Sequence, residues 1–458
     1  MKPSKSHRPR TQPAPSKAFQ PQLAQPQTVE IIKPIYGGAF LARLEGKAVF
    51  VPFTLPGERA RVLTTQSKRG YDTAEVDQIL TPSPERVAPA CAHFGTCGGC
   101  HYQHTNYPSQ LAFKQTILRE TLERGGVTAP AEINVLSAQP WHYRNRIRLA
   151  FDAAGNPGYR GRRSNAVIPI GECPIAAPLL LNASKAIAEV ARQFAPTIRL
   201  TELALFCDAD ESSLLASVFI ALGPSANPAK IKAQFADFAQ AVQQLIPALN
   251  GAELDAEGHA TQPPRTVAQW GAPSLTYRAA GFDFRVDHGA FFQVNRFLVD
   301  GLVEQVVAGH KGALAWDLFA GVGLFARTLT QRFSSVVAVE SAPSATHALS
   351  ANLHGTSATA VPSTTLEFLH RNRKPKPAQA VPDLIVVDPP RTGLGPDITT
   401  LLAELAAPAI AYVSCDPATL ARDLSALLAS GYVIQSITLA DLFPQTFHLE
   451  TVVQLRRA

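Results

Sequence analysis

Hydrophobic positions along this chain follow two different rhythms, and the change between them falls near residue 291. Residues 28–86 carry short β-prone runs: VEIIKPI, KAVFVPF, RARVLTT and TAEVDQIL. Gly37-Gly38, Pro56-Gly57 and Gly70 punctuate them as turns. Runs of this kind predict a five-stranded OB-like barrel, a common nucleic-acid platform. Residues 109–124 place Leu111, Ile117, Leu118 and Leu122 at helical spacing and stop at Gly125-Gly126, so a helix is expected there. Residues 141–290 mix strands and helices, with LALFCDA and SVFIALG as strand candidates. From 291 onward, ALAWDLF, VVAVE, DLIVVDPP and AIAYVSC read as buried strands separated by helical stretches. That alternation predicts an α/β fold with a doubly wound parallel sheet. Ligands in such sheets bind beyond the carboxyl ends of the strands. Asp317, Glu340, Asp388 and Cys415 each fall at or near such an end. The expected organisation is a tail over 1–27, a β-barrel over 28–86, a central α+β domain over 87–290 and a Rossmann-like domain over 291–458.

Composition changes this picture at the N-terminus. The chain has 458 residues, 46% of them apolar and 17% charged, enough to bury a large core. Its net charge of +6 suggests a nucleic-acid partner, but the charge is uneven. Lys2, Lys5, Arg8, Arg10 and Lys17 precede the first acidic residue, Glu30. That leaves 37 of the 42 basic residues against all 36 acidic ones. A uniformly basic body is excluded, and the Pro/Gln/Ser/Lys-rich start reads as a disordered basic tail. No run of about 18 uncharged apolar residues exists to span a membrane. The basic N-terminus is not followed by the apolar core of a secretory signal. A cytoplasmic, reducing location is expected, where clustered cysteines are metal ligands or catalytic thiols rather than disulfides. A second concentration of charge lies inside the folded body. Arg144, Arg146, Arg148, Arg160, Arg162 and Arg163 stand against Asp152, interleaved with Trp141, Tyr143 and Tyr159. Arginine with stacking aromatics suits an RNA-contacting surface. Charge reversal at Arg144 and Arg146 is expected to weaken RNA binding more than deletion of 1–27.

Four motifs carry candidate chemistry. Asp317-Leu318-Phe319-Ala320-Gly321-Val322-Gly323 follows a strand, and Glu340 ends the next one, where a carboxylate can bind ribose hydroxyls. The glycine pattern alone does not separate a dinucleotide from S-adenosylmethionine. Asp388-Pro389-Pro390-Arg391 stiffens the backbone after a buried strand. Ser414-Cys415-Asp416-Pro417 places a thiol before a helix, where the pKa should fall and nucleophilicity at neutral pH should rise. Glu450, in Phe447-His448-Leu449-Glu450-Thr451, is a candidate general base. Separately, Cys91-x5-Cys97-x2-Cys100 with a distant Cys173 suits an iron–sulfur cluster or structural zinc, and Cys207 reads as a core residue.

Taken together these residues resemble the RNA 5-methyluridine (uracil-5) methyltransferase family, in its iron–sulfur branch known for 23S ribosomal RNA. The resemblance covers nearly all of 28–458. Gly37-Gly38 and Phe50-Val51-Pro52…Leu55-Pro56-Gly57-Glu58 are similar to a TRAM domain. It implies that Cys91, Cys97, Cys100 and Cys173 hold a 4Fe–4S cluster. It implies further that Gln293 (in Phe291-Phe292-Gln293-Val294-Asn295), Phe319, Gly321, Gly323, Glu340 and Asp388 bind S-adenosylmethionine. Cys415 is then the nucleophile and Glu450 the base, acting on a flipped-out uridine of 23S rRNA or, as the second choice, tRNA; Phe291 is the expected stacking partner. A monomer is expected.

Two positions depart from the family pattern: Leu324 replaces a polar residue, and Thr364 stands where an acidic or amide residue would touch adenine. The second departure motivates a rival reading, an RNA-binding protein whose activity has decayed. An NAD-dependent oxidoreductase would explain the glycine loop but neither the DPPR turn nor the SCDP motif.

Overall fold

The computed structural model describes residues 25–194, 199–222, 227–256, 265–373 and 381–458. Most of the expected basic tail lies outside them; Gln27, its last residue, already pairs with Val62. Strands β1 (Gln27–Pro34), β2 (Ala39–Leu44), β3 (Lys47–Pro52), β4 (Arg59–Ser67) and β5 (Tyr71–Thr81) close into a barrel in the order β1-β2-β3-β5-β4. The expected OB-like unit is therefore present. Alternating residues fill it: Val29, Ile31, Phe40, Ala42, Val49, Val51, Val62 and Ala74 are buried. The Leu55-Pro56-Gly57-Glu58 turn owes its shape to a buried carboxylate, because Glu58 Oε2 accepts from the Leu55 amide at 2.8 Å.

The chain from Ser83 onward, with Pro34–Ala39, forms the second compact unit. Helix α1 (Tyr107–Arg124) is capped by Asn106, whose side chain accepts from the Ser109 amide, and ends at Gly125. Strand β6 (Asn134–Leu136) follows. Next come β7 (Arg146–Phe151), β8 (Pro157–Arg160), β9 (Val167–Pro169), α2 (Pro178–Phe194), β10 (Leu200–Cys207), β11 (Leu214–Ile220), α3 (Pro228–Leu245), β12 (Leu249–Ala256) and β13 (Arg265–Gly271). Their strands make a seven-stranded sheet ordered β13-β12-β11-β10-β7-β8-β9. Helices α2 and α3 cover one face through Ile187, Val190, Phe235 and Phe238, and Cys207 is buried there, as core. A hairpin, β14 (Ser274–Ala279) and β15 (Phe282–Asp287), leads into the last third.

There the expected alternation appears: α4 (Val299–Val307), β16 (Gly312–Leu318), α5 (Leu324–Leu329), β17 (Phe333–Glu340), α6 (Pro343–Leu353), β18 (Ala358–Pro362), α7 (Thr365–Asn372), β19 (Leu384–Val387), α8 (Gly395–Leu405), β20 (Ala409–Ser414), α9 (Pro417–Ala429), β21 (Tyr432–Ala440) and β22 (Glu450–Arg457). The sheet runs β18-β17-β16-β19-β20-β22-β21-β6. Strands β18, β17, β16, β19 and β20 are parallel, and β22 enters antiparallel between β20 and β21. Helices α4–α6 pack on one face and α7–α9 on the other, joined there by Ile117, Leu118 and Leu122 of α1. Both α1 and the edge strand β6 come from the segment before residue 291. The central strand β19 is wholly apolar and β20 nearly so, as burial on two faces requires.

Candidate active site

Strand β16 delivers Asp317 and then turns sharply. Phe319 sits in the left-handed region at φ +67°, a conformation costing a non-glycine residue roughly 1–2 kcal/mol. Gly321 and Gly323 follow at φ +54° and +92°, and a Cβ on Gly323 would lie 2.7 Å from Leu349. Asp317 Oδ2 accepts from the Ala326 amide at 2.8 Å, which ties the turn to α5. Its Oδ1 is buried without a hydrogen-bond partner. Burial pushes this carboxyl up to about 8, against the Ala326 hydrogen bond and with help from the charges of Asp388 and Glu340. Glu340, at the end of β17, is heavily engaged: Oε2 accepts from Gly321 N at 2.9 Å, and Oε1 from Ser341 N and Ala342 N, both at 2.7 Å. A carboxylate has about four acceptor positions, so one remains on Oε2 for a hydroxyl.

The two departures acquire structural explanations. Leu324 is buried in the core beneath the turn. Thr364 caps α7, its hydroxyl accepting from the Glu367 amide at 3.2 Å, and the neighbouring Ser363 amide bonds the Glu340 carbonyl at 3.0 Å. Gln293 is buried, and its carbonyl accepts from Asn145 Nδ2 at 3.0 Å. Phe292 points into an aromatic cluster 4.5 Å from Tyr277, whereas Phe291 is 59% exposed.

Sheet order creates the second half of the site. Asp388 ends β19 and Cys415 ends β20; β22 runs the other way, so Glu450 starts where they stop. Ser414 pairs with Thr451, which puts Cys415 beside Glu450. The expected lowering of the Cys415 pKa by its helix does not hold. Burial, then the nearby carboxylates of Glu450 and Asp388, push the thiol up to about 12, against a smaller opposing pull from Arg391. The helix cannot win, because Asp416 already uses its first amides: Oδ1 accepts from Ala418 N and Thr419 N at 3.0 Å. Burial also raises Asp388 and, with Asp388's charge, Glu450.

Two residues quoted within motifs but given no role stand among these groups. Arg391 Nη2 lies 3.3 Å from His448 Nδ1. Burial and then Arg391 press the His448 pKa down to about 3, so the ring is neutral and accepts from Arg391. Tyr36, which carried no signal in sequence, donates to Asp416 Oδ2 at 3.0 Å and packs edge-on to Phe447. Gly393 turns the DPPR segment back: at φ +70°, a Cβ there would lie 2.5 Å from Asp423 Oδ2.

Cys91, Cys97, Cys100 and Cys173 all line one cavity of about 80 Å³, together with Arg144 and Tyr159. The Cys97 loop is docked on the β8–β9 hairpin through Gly98 N to Arg160 O (3.3 Å) and Arg162 N to Thr96 O (2.9 Å). Burial and then, after a hydrogen bond from Gln103 that opposes it, mutual repulsion among the sulfurs push Cys100 up to about 12. Among the described residues, no three His, Cys, Asp or Glu side chains are arranged to hold a single metal ion.

The arginine-rich stretch is divided between inward and exposed positions. Arg144 lies against the cysteines, and its Nε is buried without a hydrogen bond. Arg146 stacks over Phe206 at 4.4 Å. Arg148 and Arg160 reach outward, both paired with Glu202 (2.6 and 3.2 Å), and Arg163 is exposed as well.

The profile described as tRNA (Uracil-5-)-methyltransferase matches residues 378–458, and the TRAM domain matches 23–76. A 23S rRNA (uracil(1939)-C(5))-methyltransferase RlmD from Enterobacter is 33% identical over 441 residues, spanning 91% of this chain and 93% of the relative. The chain belongs to the RNA uracil-5 methyltransferase family. RlmD of Pectobacterium atrosepticum is 34% identical over 91% of this chain and 90% of the relative. An uncharacterized RNA methyltransferase of Nitratidesulfovibrio vulgaris is 30% identical over 93% and 95%. The solved structure of the Pyrococcus abyssi tRNA (uracil-54, C5)-methyltransferase, in complex with S-adenosyl-L-homocysteine, shares the fold: TM-score 0.72 at 23% identity, covering 93% of this chain and all of that one. Family membership makes this chain an S-adenosylmethionine-dependent RNA uracil-C5 methyltransferase. It also removes the oxidoreductase reading. No helix among the described residues is long and apolar enough to cross a membrane.

Proposed function

We propose that the chain forms 5-methyluridine in 23S rRNA through a covalent adduct with Cys415, with Glu450 as the base. The observation that carries this reading is the meeting of Cys415, Glu450 and Asp388 at one sheet edge. S-adenosylmethionine supplies an electrophilic methyl group on a sulfonium. The residues present suit that cation: burial raises Asp317, Asp388 and Glu450, a bound positive charge would favour their carboxylate forms, and Asp317 Oδ1 lacks a partner. Gln293, Phe319, Gly321, Gly323, Glu340 and Asp388 would hold it.

Carbon 5 of uracil is a poor nucleophile. Sulfur of Cys415, once its proton has passed to a neighbouring carboxylate, bonds to carbon 6, and the ring's π pair moves to the carbonyl oxygen as an enolate. With the donor bound, the enolate's carbon 5 would take the methyl group as its bond to the sulfonium sulfur breaks, the pair staying on sulfur in the departing S-adenosylhomocysteine. Glu450 then takes the proton from carbon 5; the freed pair restores the ring double bond and expels the thiolate. Phe291, exposed next to Gln293, is placed to stack on the extruded base. The relatives named for 23S rRNA favour that substrate over tRNA. The four cysteines would hold a 4Fe–4S cluster: they line one cavity, and thiolates are the ligands such a cluster takes. The domain limits at 27, 86 and 290, a monomeric state and a cytoplasmic location belong to the same reading.

The test is a 23S rRNA transcript made with 5-fluorouridine, which cannot lose a proton from carbon 5. Wild type should give a methylated adduct stable to denaturing electrophoresis, and Cys415→Ala none. No adduct with wild type would overturn the covalent route; S-adenosylmethionine binding without turnover on any rRNA would favour the decayed reading.

A further inference from the structure

The turn between β21 and β22, residues 441–449, ends on Glu450 and carries His448, yet it has little regular structure of its own. What holds it is a buried polar network from α1 and its approach. Lys114 is fully buried in the apolar face of α1, and its ammonium donates to Asp441 Oδ1 at 2.5 Å and to the Phe443 carbonyl at 3.0 Å. Tyr107 donates to the other oxygen of Asp441 at 2.8 Å. One helical turn from Tyr107, Gln110 clasps Gln445: its amide donates to Gln445 Oε1 and its carbonyl accepts from Gln445 N, each at 3.0 Å. Gln445 is itself strained, at φ +68°, and its carbonyl accepts from His101 N and Tyr102 N at 2.8 and 3.0 Å. Tyr143 reaches the Pro444 carbonyl at 3.0 Å.

A wholly buried ion pair is a poor way to gain stability, since apolar residues of the same volume often do as well or better. Its directional bonds specify geometry instead. We infer that Lys114, Asp441, Tyr107 and Gln110 are positioning residues that fix the 441–449 turn so that Glu450 meets the proton on carbon 5. This rests on the reading of Glu450 as base. It predicts a defect confined to the last step, because Cys415 and the methyl-donor residues lie on other strands and loops.

The test uses the full chain with three variants: Asp441→Asn, the apolar double Lys114→Met/Asp441→Leu, and the milder Tyr107→Phe. Adduct formation on 5-fluorouridine rRNA needs no proton removal from carbon 5 and should stay within about twofold of wild type. Turnover on ordinary rRNA should fall by on the order of 10²-fold in the first two, with KM unchanged and methylated adduct accumulating. Tyr107→Phe, which loses one hydrogen bond to a charged acceptor, should lose about tenfold. The double variant should keep its melting temperature, which a merely structural pair would not predict alongside lost turnover. Turnover near wild type in the stable double variant would overturn the inference. So would parallel loss of adduct formation and turnover in Tyr107→Phe. Absence of any wild-type adduct would instead remove the covalent reading beneath it.

Discussion

Cys415 stands at the entrance of a helix, a setting that acidifies many reactive thiols, yet here the thiol is held protonated. Burial and two carboxylates act at closer range than the helix, whose first amides Asp416 has taken. With its pKa near 12, roughly one thiol in 10⁴ would be ionised at pH 8. Reactivity is therefore conditional on charge brought by the methyl donor and on loss of a proton to a neighbour. Cys415, Asp388 and Glu450 are all raised, so each stays protonated to a higher pH than its free counterpart. On the proposed covalent route, thiolate attack and proton removal both need the deprotonated forms, so the single-turnover rate should climb from about pH 6 to 9 instead of levelling in the carboxylate range. Arg391 pulls both Cys415 and Glu450 down, so Arg391→Gln should move that curve to higher pH. A rate that levels below about pH 6, or a curve Arg391→Gln leaves in place, would contradict this account.

Among elements, the cysteine loop and the β8–β9 hairpin give the arginine-rich stretch a structural role. The stretch 144–163, whose arginines are read as an RNA-contacting surface, also supplies the hairpin on which the loop docks and one wall of the cysteine cavity. Its polar residues alternate with buried ones because the segment is structural on one side and solvated on the other. If the cavity holds a 4Fe–4S cluster, anaerobically purified protein should be brown, with about four iron and four sulfide per chain. Cys97→Ser should lower the iron content and the melting temperature together. A colourless protein with one zinc would refute the cluster.

For the whole molecule, the charge balance sets where RNA can be held. The described body is close to neutral, and two outward cations of the central sheet, Arg148 and Arg160, are shared with Glu202. Reversing both to Glu should weaken rRNA binding, measured by anisotropy at fixed salt, with little change in melting temperature, since exposed pairs are worth about 0–1 kcal/mol. Arg144→Glu should instead cost about 2 kcal/mol or more of stability, because it puts a carboxylate beside the cysteines. Equal effects of the two changes on stability would contradict the division between buried and outward arginines.

Much of this was readable from residue order alone. The alternation of apolar strands with helices, the glycines of the first turn, and the DPPR, SCDP and HxET motifs all act locally, within a strand and the turn that follows it. Local propensity and period therefore revealed the barrel, the doubly wound sheet and the strand ends where Asp317, Glu340, Asp388 and Cys415 stand. Three things came only from the tertiary structure. The antiparallel entry of β22 brought Glu450 to Cys415; dense burial reversed the expected shift of the thiol; and the ion pair of Lys114 with Asp441 linked residues 327 positions apart. Lys114 left one trace, a charge on the apolar face of a predicted helix, but its partner could not be named. Desolvation and long-range pairing depend on what surrounds a side chain in space, and a linear pattern records only what precedes and follows it.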